Sequence, residues 1–536
     1  MSQQAACTPH ADPGATPPVD GRPGRPEPVA HDVERLAGAL HRVRRQCQDL
    51  PLLAIRWMHV RHPLQETQER LLRRDGGGIA PWRHRAALLR RLAQCVGYAV
   101  ILSVQLLRMR WVARRPMALL KGQPFELLAR TWCLGTERPG DHRDFYYGDL
   151  QDRLAQRNVR MLLVCGDVSG RTRPAFARGQ VAAGPMARVP ELCLVPLFAP
   201  LDMMAKQLAT CWRLWRLRRR EAEPLPRAIL ALACRDCLAP DTALTGLLYW
   251  VGRTAVRTWR PKAVVTLYEG QAWEPCLWRG VKTADPSCQT VGYQHTVLLP
   301  HCLVLLRRWE EERPEARPDV VLCLGPRTRA MLQASHPRSR LISFGSFRPL
   351  PDRGACAGPR PQERTVLVVP ESGLLAEARS LFTFAMEAAG VLRDHRFIFR
   401  CHPIMPFDRV RPHLAEAPEA RPNIEVSVRP SIADDFARSS SVLYRGSSSV
   451  LYAVLHGVKP IYVHDPSLRD ADPLGALATW RDSVSSVPEL AGLLQAYAAT
   501  PAAGARDDWQ AAVEYVRRYT VPVDEASLDR WLETLG

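Results

Sequence analysis

The 536-residue chain is short of several features, and each shortage narrows what it can be. Its 15 cysteines are odd in number and scattered, unlike a disulfide framework, and suit a reducing cytoplasm. Only Cys234 and Cys237, in 233-ACRDC-237, stand close together, and no second pair follows to complete a zinc tetrahedron. They read as buried thiols. No basic stretch followed by an apolar one opens the sequence, so no secretory leader is expected. The apolar run 91-RLAQCVGYAVILSVQLLRMRW-111 has an uncharged core of 16 residues, Leu92–Leu107. That is short of the roughly 20 residues of a helical bilayer span. It reads as a buried or interfacial helix, with a short span as the third alternative. Short-period repeats and sustained heptads are missing. So is an Asp-x-Asp pair in a loop: Asp434 and Asp435 stand at an expected helix start. No metal site is expected.

Basic residues outnumber acidic ones, 73 to 54, for a net charge of +19. The excess is mostly arginine, part of which a GC-rich genome would explain. It points to anionic partners: phosphorylated substrates, an anionic membrane face or nucleic acid. Neither a helix-turn-helix pattern nor a basic platform interleaved with aromatics supports nucleic acid. The length implies two or more domains. Residues 1–30 are rich in Pro, Gly and Ala and read as a disordered tail. Residues 31–125 read as a basic helical extension with possible membrane-surface contact. In 203-MMAKQLATCWRLWRLRRR-220, Met204, Leu208, Trp212 and Trp215 share a helical face opposite arginines. Either an anionic lipid surface or the protein core would accept that face.

From about residue 126, short β-branched runs alternate with helical segments. The runs are 159–167, 262–270, 289–295 and 319–325, then, after a Pro/Gly-rich link, 365–370, 396–403, 441–445 and 460–463. This predicts an α/β chain of two doubly wound, Rossmann-like domains facing a cleft. The expected boundaries are 126–345 for the first domain, 346–362 for the linker and 363–536 for the second.

The chemistry concentrates at expected strand ends. In 441-SVLYRGSSSVLYAVLHGVKPIYV-463, Gly446 permits a sharp turn, and Ser447, Ser448 and Ser449 precede a helix that Gly457 stops. Backbone N–H groups, hydroxyls and a helix N-terminus there suit a phosphate; ordinary capping needs only one serine. In 396-RFIFRCHPIMP-406, Pro403 ends the strand and presents His402 at the same sheet edge, where it either donates a hydrogen bond to a leaving phosphate or protonates it; Arg400 precedes it. In 370-PESG-373, Glu371, Ser372 and Gly373 stand to touch the donor. Arg445 and Lys459 either neutralise phosphate or serve as ordinary cations. In 268-YEGQAWE-274, Glu269 leaves a strand at the cleft. It is either a general base for an acceptor hydroxyl or an acid favoured by the following helix. Glu274 reads as a structural or catalytic carboxylate. His295, in 292-GYQHTVL-298, is placed to orient the acceptor. Asp167, ending 165-CGD-167, is the alternative base.

The His-Pro pair, followed by the serine turn, resembles the motifs of bacterial sialyl-, polysialyl- and 3-deoxy-manno-octulosonate (Kdo) transferases and of polyglycerolphosphate transferases. Together with 268-YEGQAWE-274, 292-GYQHTVL-298 and 143-RDFYYGDL-150, it resembles a family of bacterial surface-carbohydrate (capsule or O-antigen) biosynthesis proteins over roughly residues 126–500. The resemblance implies a glycosyltransferase-B fold. It also implies a nucleotide-sugar donor, often CMP-linked, held at the His and Ser motifs, with no cofactor beyond that co-substrate. Tyr452 and Ala453 stand where several polymerase relatives carry an acidic residue, a departure from the polyglycerolphosphate pattern. The expected enzyme is a metal-independent glycosyltransferase, cytoplasmic and peripheral at the inner membrane face, acting on a lipid-linked or polymeric glycan. The alternatives are a glycerol-phosphate-type transferase and a non-catalytic glycan-binding scaffold.

Overall fold

The computed structural model describes residues 28–47, 81–133, 143–168, 173–180, 187–299, 302–307, 317–348, 350–351, 358–361, 363–371, 375–402, 405–465, 471–501 and 503–536. Most of the tail expected at 1–30 lies outside these residues.

Two wholly parallel sheets carry the chain. The first is built from β1 (Leu127–Cys133), β2 (Met161–Asp167), β3 (Arg188–Pro190), β4 (Ala263–Leu267), β5 (Gln289–Tyr293), β6 (Val320–Cys323) and β7 (Arg340–Ser343). Their order is β3-β2-β1-β4-β5-β6-β7. The second holds β8 (Thr365–Val369), β9 (Arg396–Phe399), β10 (Ile424–Val426), β11 (Ser441–Tyr444), β12 (Lys459–Val463) and β13 (Asp482–Val484), in the order β10-β9-β8-β11-β12-β13. Helices cover both faces, so β4 and β11 are buried along their whole length and read as unbroken apolar runs. Each sheet reverses its winding direction once, between β1 and β4 and between β8 and β11. At such points the outgoing connections part, and a crevice opens at the carboxyl ends of the strands. This is the doubly wound, two-domain α/β class expected from the sequence.

The structure revises the domain boundaries. Residues 31–125 are not an appendage. Helix Pro28–Gln46 buries Leu36, Leu40 and Val43 against Ile229 and Leu230. The next described helix runs unbroken from Pro81 to Lys121. Its Leu102, Leu106, Met109, Ala113, Met117 and Leu120, spaced three and four apart, pack with Leu128, Leu162 and Val189 of the first sheet. It therefore packs along the domain on one side, while Ala87–Lys121 is also long and apolar enough, by length and composition, to cross a membrane. In the helix Ala199–Arg220 the expected Trp face divides: Trp215, Leu208 and Met204 pack on the core, whereas Trp212 stays 59% exposed.

The second unit does not extend to residue 536. Helix Glu525–Leu532 returns to the first domain, where Leu528 and Trp531 are fully buried among Val265, Val291 and Phe344. Arg153 and Arg157 bind Glu525 on this contact, and Arg157 also binds Asp529. The return segment pairs with the linker at Ser346 and Pro522, so two strands of chain cross between the domains. No disulfide joins the described cysteines. Cys234 and Cys237 are buried, and contact with Cys211 together with burial pushes their thiols up.

Candidate active site

β11 ends at Tyr444, and the chain turns out of the sheet. Arg445 folds inward to Glu377, 2.6 Å away, and to the Tyr462 hydroxyl at 3.0 Å. Gly446 then adopts φ +69°, and a Cβ there would sit 2.7 Å from Glu371 Oε2. Both the backbone and the carboxylate behind it require glycine. Ser448 is the N-cap residue, yet its hydroxyl makes no capping bond, so it remains available to the cleft. Ser447 is spent: its Oγ lies 2.7 Å from Ser449 Oγ and accepts from Ser449 N. Ser448 and Ser449 line the cleft, and Ser447 supports them from behind. The helix that follows, Ser449–Leu455, has seven residues and ends just before Gly457, as the sequence suggested, so its dipole is short.

His402 follows β9 and lines the same cleft. Burial, reinforced by the Arg348 charge, pulls its pKa down to about 4. At neutral pH the ring is uncharged and offers an N–H as a hydrogen-bond donor. Protonation of a leaving group would require the ligand's own charge to raise that pKa first. Arg400 is also in the cleft wall, but its Nη1 sits 2.6 Å from Asp435 Oδ2, so its charge is matched. Lys459 pairs with Asp482 at 2.7 Å, and Arg445 with Glu377; both act as structural cations. Arg348 lines the cleft and has no carboxylate partner among the described residues. Pro403, Ser372 and Gly373 lie outside the described residues.

The opposite wall comes from the first sheet. After β4, both oxygens of Glu274 accept backbone N–H groups, from Glu269 at 2.8 Å and Gly270 at 3.1 Å. Glu274 is fully buried, and burial pushes its pKa well up. It is thus a positioning residue and not a catalytic one: it holds the turn that presents Glu269. The Glu269 side chain is 24% exposed, with Oε1 3.3 Å from His295 Nε2 and Oε2 3.4 Å from Gln271 Nε2. His295 is wedged edge-on against Tyr146, ring centroids 5.0 Å apart, and its buried Nδ1 has no partner among the described residues. Tyr146 and Phe145 are fixed by Asp144, which accepts from Tyr146 N at 2.8 Å, Tyr147 N at 2.9 Å and Thr131 Oγ1 at 2.9 Å. Asp167 opens into a neighbouring cavity instead of the cleft, so it does not face the serine turn.

One cleft of about 580 Å³ therefore brings together Glu269 and His295 from one sheet edge with Glu371, Gly446, Ser448, Ser449, Arg400 and His402 from the other. Arg348 and Trp132 join it without having been singled out in the sequence, as do Phe145 and Tyr146 from the quoted stretch 143-RDFYYGDL-150. Arg348 sits in the interdomain segment, where a residue reads as a spacer. A short turn, with Ser346 Oγ accepting from Arg348 N at 3.1 Å, helps hold it at the cleft.

No protein-family model and no curated protein matches the chain. Among solved structures, it is similar to the glycosyltransferase SnogD from Streptomyces nogalater (16% identity, TM-score 0.39, 77% of this chain and 100% of that one). It is also similar to an α,α-trehalose 6-phosphate synthase from Burkholderia multivorans (10%, TM-score 0.43, 77% and 98%). A third likeness is to S. aureus MnaA with UDP (10%, TM-score 0.41, 76% and 95%). The fold assignment rests on the two parallel sheets themselves.

Proposed function

We propose that the protein is a glycosyltransferase that moves a sugar from a nucleotide donor, CMP-linked by preference, to a bacterial surface glycan or its lipid-linked precursor. The observation that supports this is the pairing across one cleft of a His-backed carboxylate with a wall of phosphate-type donors. Ser448, Ser449 and the neutral His402 ring would donate to the phosphate, and Arg348 would supply the counter-charge. Glu371 would accept from a ribose hydroxyl or an exocyclic base amine. Glu269, aligned by His295, would take the proton from an acceptor hydroxyl as it attacks the anomeric carbon, while the nucleotide phosphate departs with the bonding electrons. Arg348 and neutral donors meet the phosphate charge, so no metal is assigned to the step.

Thermal shift tests the donor half. CMP should raise Tm, with CDP, UDP and GDP weaker, and Ser448→Ala/Ser449→Ala and Arg348→Ala should each abolish most of the shift. No response to any nucleotide would end the proposal. Turnover of a nucleotide-activated glycerol but no sugar would favour the glycerol-phosphate alternative. Binding without any turnover would favour a scaffold.

The proposal places the enzyme on the inner membrane face. The outward side of helix Pro81–Lys121 also carries large apolar residues: Val100 is 57%, Leu107 54% and Trp111 68% exposed. Arg108, Arg110, Arg114 and Arg115 crowd its C-terminal half. An apolar strip with arginines suits an in-plane helix on anionic lipid. The protein should co-sediment with phosphatidylglycerol vesicles, less with phosphatidylcholine, and Val100→Asp/Leu107→Asp should release it. Equal sedimentation of the variant would refute the surface.

A further inference from the structure

Behind the cleft, a second cavity of about 330 Å³ lies between the first sheet and helix Pro81–Lys121. Its wall includes Met109 of that helix and Trp132, Gln271 and Trp273 on the cleft side. Trp132 lines both spaces, and Gln271 touches Glu269, so the cavity adjoins the acceptor side of the candidate site.

Two donors in this wall are buried without an acceptor. Arg130 is 1% exposed in the middle of β1. Its Nε bonds Glu191 at 3.0 Å, but Nη1 has no partner among the described residues. Trp273, 7% exposed, leaves its indole Nε1 equally unpartnered. The guanidinium carbon lies 3.4 Å from the Trp132 ring centroid and 3.9 Å from that of Trp273, in the corner of an edge-to-face indole pair. The stack is built closely: a Cβ on Gly166 of β2 would collide with Arg130 Nη2 and with the Trp132 ring. Leaving a buried donor bare costs about 1–3 kcal/mol, and more for a charged one. Two such donors in one cavity wall therefore describe a site that awaits an acceptor. The carboxylates nearby do not fill that need. Glu191 is engaged by Arg130 Nε, and Asp241 is exposed on a helix beyond the sheet. Asp167 has contacts of its own. The other cation, Arg173, is held by Gln105 and Tyr98.

We infer that this cavity binds an oxyanion, a carboxylate or phosphate, through Arg130 Nη1 and Trp273 Nε1. Resting on the proposed function, the oxyanion is one carried by the acceptor: the carboxylate of an acidic sugar or the phosphate of a lipid-linked precursor. A planar guanidinium fixed against two indoles suits such a group, because it offers N–H donors in a fixed orientation. Anchored there, the acceptor would extend past Gln271 and present its hydroxyl to Glu269.

The test uses the full chain and titrates glucuronate, citronellyl phosphate and inorganic phosphate, with glucose and citronellol as uncharged controls. Thermal shift and calorimetry report binding. At least one oxyanion should bind, the uncharged controls should not, and Arg130→Met/Glu191→Gln should weaken binding by about tenfold or more. Leu244→Trp, which fills the cavity from the far wall and keeps both donors, should do the same if the double variant folds poorly. Binding of glucuronate alone identifies an acidic sugar, and of the phosphates alone a phosphorylated precursor. Equal binding of controls and oxyanions, no binding at all, or full retention in both variants overturns the inference. The nucleotide shift at the serine turn, measured in parallel, should be unchanged in both variants. Its loss in the wild type would strike at the donor reading and leave the cavity result standing.

Discussion

Glu269→Gln should lower sugar transfer by about 10²–10⁴-fold, the usual contribution of a positioned general base. The substitution keeps the shape and the hydrogen bond to the His295 side, but removes the site that receives the proton. Nucleotide binding should be untouched, because Glu269 stands on the wall opposite Ser448 and His402. The measurement is therefore paired: single-turnover transfer, and thermal shift with the nucleotide. Retained transfer would remove Glu269 as base, and a lost nucleotide shift would mean that the cleft had collapsed. Glu274→Gln separates position from chemistry. Both Glu274 oxygens accept backbone N–H groups, so an amide NH₂ would face a donor and release the turn. It should lower transfer without itself touching the substrate.

The second large effect is expected at Gly446. Alanine there adds a left-handed backbone cost of about 1–2 kcal/mol to a clash with the Glu371 carboxylate. The turn cannot relax toward the sheet, because Arg445 is anchored to Glu377 and Tyr462 just before it. The serines would move off the cleft wall. A Tm loss of several degrees together with a loss of the nucleotide shift is the expected outcome in thermal melts. Gly446→Ala with wild-type nucleotide affinity would show that the serine turn is not the phosphate grip. Ser448→Ala at an unchanged backbone supplies the contrast, since it should weaken nucleotide binding with little change in Tm.

The strands that frame the site were legible because burial on both faces demands unbroken apolar runs. AVVTL, TVLVV and SVLY show that demand directly. β1 was not, since Arg130 interrupts LLARTWC and no periodicity announces a buried arginine packed against two tryptophans. β3 and β13 have three residues each, too few for any period to emerge. Among site residues, those at strand ends next to Gly or Pro could be read, because chain reversal leaves a mark in composition. Arg348 could not: its importance arises from the path of the interdomain segment across the cleft. Glu274 stayed open between a structural and a catalytic role for a similar reason. A carboxylate one turn into a helix looks the same in sequence whether it faces substrate or caps a turn from within the core.

The returning helix Glu525–Leu532 has a consequence for how the protein is made. Every strand of the first sheet lies at or before Ser343 in the chain, yet Leu528 and Trp531, which complete that sheet's packing, are made only after the whole second sheet. Domains ordinarily fold in order as they emerge. Here the earlier one must wait, with an apolar face uncovered, while the later one is built. The returning helix acts as a latch. The wall of the cleft that carries Glu269 is fully packed only after the second sheet exists, so a chain interrupted before that helix would lack this support.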